Sequence, residues 1–201
     1  MKPVLFTLTL TTLFAISPTA IAALNAASAP NAITVAPELK SADQLFVLLD
    51  NRAAMMRAVA IVKWRNGGAI EDLRREEQVV QNSKTSAQRE GLSDVTATSR
   101  AQIRLAKLIQ IRWHERWARA GLAGNEYSIP LKTLRARLDI VDAQILSSLR
   151  QALPTLRDQS SRARLKTVFL RRFRVGDLRD AERLSLFDAL LLVRQTPRDD
   201  K

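Results

Sequence analysis

The chain contains no cysteine among its 201 residues, which excludes disulfides, thiol nucleophiles and thiolate metal ligands together. Histidine occurs once, as His114, so a zinc site of the usual Cys and His composition has no ligand set, and no metal site is expected. A Ser-His-acid triad would have to use that one residue, and no nucleophile-elbow motif accompanies it; His114 reads as a helix-surface or interface residue. Tyrosine also occurs once, and aromatic residues make up only 5% of the chain. Period-two alternation is scarce, so β-strands have little to build on. No internal repeat of fixed period is visible.

Acidic charge is the other scarcity: 20 Asp and Glu stand against 32 Lys and Arg, a formal net charge of +12. A chain this basic suits nucleic acid, an anionic membrane or a small anion. The N-terminus narrows the choice. Lys2, the apolar run Val4 to Ile16 and the small-residue site Ala20-Ile21-Ala22 form the pattern of a signal peptide over residues 1–22. Cleavage is expected between Ala22 and Ala23. The run is too short to span a bilayer, and the well-placed small-residue site argues against its rival, an uncleaved anchor. Export to the periplasm or beyond follows. It argues against a nucleic-acid partner, and without a second apolar run of spanning length no membrane association is expected after cleavage. Much of the positive excess lies in Arg162, Arg164, Lys166, Arg171, Arg172 and Arg174, most simply a solvated helix face.

Residues 23–40, rich in Ala, Asn and Pro, read as a flexible leader, and residues 41–196 as a single all-α domain of about six helices. Ser41-Ala-Asp-Gln44 has capping-box spacing and opens a helix to about Trp64, broken by Asn66-Gly67-Gly68. A second helix covers Ile70 to about Glu90, ended by Gly91; Ser93-Asp94 caps a third, running to about Ala118. Gly121 to Pro130 connects it to a fourth, carrying Leu131, Leu134, Leu138, Val141, Ile145 and Leu149 and stopping before Pro154. Gln159 to Arg172 and Leu178 to Gln195 form the last two, separated by Val175-Gly176-Asp177.

The informative residues are polar ones in apolar stripes. Arg52 interrupts Leu45, Leu49, Met56 and Val59; Lys63, eleven residues on, emerges on nearly the same face. Asp72, Arg75 and Glu76 follow at i, i+3, i+4 and share one face of the second helix. Gln110 interrupts Ile103, Ala106, Trp113 and Trp117 on the third helix, and Arg135 lies in the stripe of Leu131, Leu138, Ile145 and Leu149. Inward charges are costly unless paired or functional. Taken alone, Asp72, Arg75 and Glu76 read more simply as a surface ion-pair set, and long basic side chains can snorkel out of a seam. If the faces converge, however, four cations, two carboxylates and an amide surround one pocket, and the imbalance points to an anionic ligand. Such groups have no nucleophile among them. They can hold a polycarboxylate and stabilise charge that develops during an intramolecular rearrangement.

The pattern Arg52-x10-Lys63-x8-Asp72-x2-Arg75-Glu76, followed by a helix with Gln110, resembles the all-helical chorismate mutases. The stretches Val59-Ala-Ile-Val-Lys63-Trp-Arg and Ile70-Glu-Asp-Leu-Arg-Arg-Glu76 carry the resemblance most closely, and the export signal is similar to that of their secreted, periplasmic subclass. It covers residues 41–150; beyond that it rests on helix pattern. The resemblance implies conversion of chorismate to prephenate by a [3,3] rearrangement without a cofactor, in a homodimer. By analogy Arg52, Arg75 and Arg135 surround the substrate carboxylates, Lys63 and Gln110 donate to the ether oxygen, and Asp72 and Glu76 match positions near the ring hydroxyl. Ala106 stands where the family usually has a carboxylate-binding Ser or Thr, and Val79 where some secreted members have a polar residue. Two rival functions remain at this stage. One is isochorismate pyruvate-lyase, which shares the fold. The other is a non-enzymatic basic helical protein binding anionic surfaces or partners. The exposed Trp113 and Trp117 region is a candidate contributor to a dimer interface.

Overall fold

The computed structural model describes residues 36–121, 129–176 and 178–196. The expected signal peptide, most of the leader, most of the 121–130 connection and Asp177 lie outside the described residues.

The helices, in order, are α1 (Lys40–Ala54), α2 (Met56–Asn66), α3 (Leu73–Arg89), α4 (Thr96–Ala120), α5 (Leu131–Arg157), α6 (Arg162–Arg172) and α7 (Asp180–Leu190). Because α1 and α2 are one rod interrupted by a single turn at Met55, where the N–H still reaches Asn51 O, the described residues form six rods. The all-α class holds. Two two-residue strands are the exception: β1 (Leu92–Ser93) pairs antiparallel with β2 (Arg194–Gln195).

Several helix ends differ from the sequence expectation. The capping box at Ser41 is not made. Pro37 opens a 3-10 turn that runs straight into α1, whose N-cap is Leu39, so the helix has begun before Ser41 can cap it. Ser93 and Asp94 do not cap α4 either: Ser93 is held in β1, Asp94 takes a positive φ of 60°, and α4 starts after Val95. The second helix starts at Leu73 rather than Ile70, with Asp72 as its N-cap and the Asp72 carboxylate accepting from Arg75 N–H. The fourth does not stop before Pro154. It continues to Arg157: the proline removes one N–H from the ladder, and the burial of Leu153 and Leu156 holds the last turn in place. The last two helices are shorter than expected; a 3-10 turn over Gln159–Ser161 precedes α6, and α7 ends at Leu190. Gly67 does end α2 as read, in the left-handed conformation (φ 61°) with its N–H on the carbonyls of Lys63 and Trp64.

The main core gathers one face of α1 against α5, α6 and α7. Phe46 meets Phe169 edge-on with centroids 5.1 Å apart, and Phe169 also packs on Phe173 and Phe187. Large rings at few positions supply much of the apolar burial in a chain poor in aromatics. Arg172 clamps α6 to α1 through a two-point bond to Asp43, whereas Arg162, Arg164, Lys166, Arg171 and Arg174 are exposed, as a solvated face requires.

The tryptophan expectation needs correction. Trp117 is buried, packed with Ala60 and Ile61 beneath Trp64 and Trp113. His114 ties the same corner together, its ring 5.1 Å from Trp64 and its Nε2 3.0 Å from Ala60 O. The α2–α4 contact covers Trp117, while Trp113 remains half-buried. Among the described residues no helix is long and apolar enough to cross a membrane.

Candidate active site

The stripes of α1 to α5 that carry polar residues face one another. All eight residues singled out from the sequence (Arg52, Lys63, Asp72, Arg75, Glu76, Ala106, Gln110 and Arg135) line a single cavity of about 110 Å³. Its apolar wall comes from Met56, Val59, Val79, Ile103, Leu131 and Leu138.

Three further charged groups line it that sequence reasoning missed: Lys107, Asp139 and Asp142. They correct the charge argument. Arg52, a buried residue, is bonded through Nε to Asp142 at 2.5 Å, with a longer second contact at 3.4 Å. Arg75 pairs with Asp139 at 3.2 Å and Arg135 with Asp72 at 3.6 Å. Lys107 bridges Glu76 (3.1 Å) and Glu71 (2.8 Å), and the Glu71 bond is the larger cause holding its ammonium above the ordinary lysine pKa. Five cations and four carboxylates therefore face the cavity, and the expected surplus of two shrinks to one. Every arginine comes with its own carboxylate. A signal for the missed aspartates was present: Asp139 and Asp142 follow Arg135 at i+4 and i+7, on the same face of α5.

Lys63 differs from the arginines. Its ammonium donates to Ile70 O at 2.8 Å rather than to a carboxylate. Burial lowers its pKa below that of a free lysine, and Arg135 adds to the effect, against the opposing pull of Asp72 and Glu76. A lysine so placed has donors to spare and a reason to welcome an anionic or electron-rich partner.

Gln110, also buried, gives one amide N–H to Ala106 O at 2.9 Å, one turn back along α4. That backbone acceptor fixes which end of the amide is nitrogen. A second N–H, 4.0 Å from Met56 Sδ at its nitrogen, is free for a stronger acceptor, while the amide oxygen is buried without a partner. Ala106 presents only a methyl to the cavity, so no hydroxyl is available there. The arrangement offers cations on several sides, two uncommitted neutral or cationic donors on α2 and α4, and no nucleophile. Its chemistry is that of holding and polarising an anion.

Residues 42–110 match the family model for chorismate mutase type II. The chain is 29% identical over 125 residues to the secreted chorismate mutase of Yersinia pestis, covering 61% of this chain and 67% of that protein. The crystal structure of the Yersinia pestis secreted chorismate mutase superposes with a TM-score of 0.69 at 26% identity, over 76% of this chain and 98% of the other. A chorismate mutase structure from Burkholderia phymatum shares the fold, with a TM-score of 0.68 at 23% identity over 77% and 98% of the two chains.

Proposed function

We propose that the chain, whose residues 42–110 match the chorismate mutase type II model, converts chorismate to prephenate by an intramolecular [3,3] rearrangement. The observation that carries the proposal is convergence: residues from five helices and the α3 cap, far apart in sequence, meet in one cavity whose lysine and glutamine each have a donor to spare.

In that reaction the ether C–O bond breaks ahead of C–C bond formation, and negative charge builds on the ether oxygen. Lys63 Nζ and the free Gln110 N–H point at that oxygen. Both bonds strengthen as the charge grows, so they bind the transition state better than the ground state. Arg52, Arg75 and Arg135 hold the two carboxylates and fold the enolpyruvyl arm over the ring, reducing the entropy lost at the barrier. Each arginine must leave, or share, its aspartate when substrate arrives; those pairs keep the guanidinium groups oriented and compensated in the empty site. Asp72 and Glu76 face the ring hydroxyl, with Lys107 holding Glu76 in place. Together the two effects need supply about 8 kcal/mol for a millionfold acceleration. No residue forms a covalent bond to substrate, and the reaction calls for no cofactor.

With Ala106 in place of a hydroxyl residue, one carboxylate contact is missing, which weakens substrate binding more than it slows the chemical step. The protein acts outside the cytoplasm after loss of residues 1–22, as a homodimer. Its physiological partner is the small substrate rather than nucleic acid or membrane.

The test is the fall of chorismate absorbance on adding purified mature protein, with prephenate identified after acid conversion to phenylpyruvate. Release of pyruvate from isochorismate, with chorismate untouched, would instead establish the lyase. No turnover of either substrate, with salt-sensitive binding to anionic surfaces through the exposed α6 arginines, would establish the non-enzymatic alternative.

A further inference from the structure

A second and larger cleft, of about 330 Å³, lies between α3, α4 and α5. Arg52, Asp142, Asp139 and Val79 line both spaces, so the Arg52–Asp142 pair stands as the partition between them. The substrate reading does not use this cleft, and one buried group in it is unsatisfied. The amide oxygen of Gln102 is buried and accepts no hydrogen bond. The guanidinium of Arg89, exposed in the last turn of α3, lines the same cleft. A buried acceptor without a donor is unfavourable and calls for an explanation.

Chemistry and register together define what would engage both Gln102 and Arg89. The acids of the cleft, Asp139 and Asp142, are already bonded to Arg75 and Arg52, so the charge left for a ligand is the single positive one of Arg89. A monoanion fits; a free cation does not. Ser99 Oγ donates to Ser83 Oγ at 2.7 Å and fixes the antiparallel register of α3 and α4. That register sets Gln102 level with residue 80. Arg89 is then nine residues farther along α3, about 13 Å of helix rise, a span the reach of an arginine shortens to the length of a small aryl acid. Val95, Leu146 and Leu149 supply apolar wall.

We propose that this cleft binds a small, rigid monocarboxylate bearing a hydroxyl or amine at its far end. The carboxylate pairs with Arg89, the distal N–H or O–H donates to Gln102 Oε1, and the apolar body lies against Val95, Leu146 and Leu149. The inference is independent of the reaction assigned to the neighbouring cavity.

Titration of the purified protein with 4-hydroxyphenylacetate, followed by calorimetry, tests it. Saturable binding is expected, at least about tenfold weaker for phenylacetate, which would leave the Gln102 oxygen unpaired. Arg89→Ala, at an exposed position that tolerates truncation, and Gln102→Leu should each weaken binding by about tenfold or more, the scale of one lost polar contact. Lys63→Ala should leave it unchanged. Three results overturn the proposal. One is the absence of saturable binding to the folded protein. Another is equal affinity for the two acids. The third is binding abolished by Lys63→Ala yet intact in Arg89→Ala, which would place the ligand in the substrate cavity.

Discussion

The rod formed by α1 and α2 passes through two different interiors. Its first half places Leu45, Phe46 and Leu49 against α5, α6 and α7, where the neighbours are Phe169 and Phe187 and the Arg172–Asp43 pair bonds α6 to α1. One turn later the same stripe delivers Arg52, and then Lys63, into a cavity walled by the carboxylates of α3 and α5. Both regions are inward-facing, yet one is held by apolar area and the other by pairing. The difference shows that an inward face is not of itself an apolar one. What a buried position tolerates is set by the partners that distant segments bring to it.

If the two interiors are different in kind, mutations should separate stability from activity. Phe169→Ala should have the largest effect, removing the ring that packs on Phe46, Phe173 and Phe187 and costing about 3–5 kcal/mol of stability. Chemical denaturation would measure it, and the activity of the remaining folded fraction should be near normal. A loss of turnover in fully folded protein would mean that the apolar end shapes the site. Lys63→Ala should do the reverse, lowering kcat/KM by at least about a hundredfold with little change in Tm. A change below about tenfold in a folded variant would remove Lys63 from the mechanism.

Lys63 also predicts a pH limb. The ammonium must stay protonated to donate, and burial has lowered its pKa. Activity should therefore fall, as pH rises, below the range of an ordinary lysine. Gln110→Glu should be comparably damaging at neutral pH and recover towards acid, because only the protonated carboxyl donates to the ether oxygen and burial favours that form. A flat profile in that variant would count against the assignment.

The smallest effect tests the pairing itself. Asp142→Asn removes the anion from Arg52, so Tm should fall modestly. Saturating prephenate should restore more of that loss than it adds to the parent protein, because a ligand carboxylate replaces the missing one. Equal ligand stabilisation in both proteins would show that Arg52 is a structural cation and not an anion site.

The class and the candidate residues were legible because they depend on period and spacing. Arg52, Lys63 and Gln110 stand out wherever a 3.6-residue stripe is drawn, and the Asp72–Arg75–Glu76 spacing is local to one helix and its cap. Asp139 and Asp142 were on an equally visible stripe. They were missed because a charge read one helix at a time counts as solvated until its partner is known. The same blindness led to Trp117 being taken as exposed, when Ala60 and Ile61 cover it. Helix ends failed for a related reason. Ser41 and Ser93 look like caps in isolation, but Pro37 starts the first helix early and pairing with Arg194 holds Ser93 in a strand.

Sequence alone determined the helical class, the stripe on which each informative side chain sits and the chemical types available for a reaction, since all three follow from short-range periodicity and composition. Only the tertiary structure decided which charges neutralise one another and that the Arg52–Asp142 pair divides two cavities. Those outcomes depend on contacts between residues up to 129 positions apart. Coulomb and hydrogen-bond energies fall off over a few ångströms of space and are indifferent to distance along the chain.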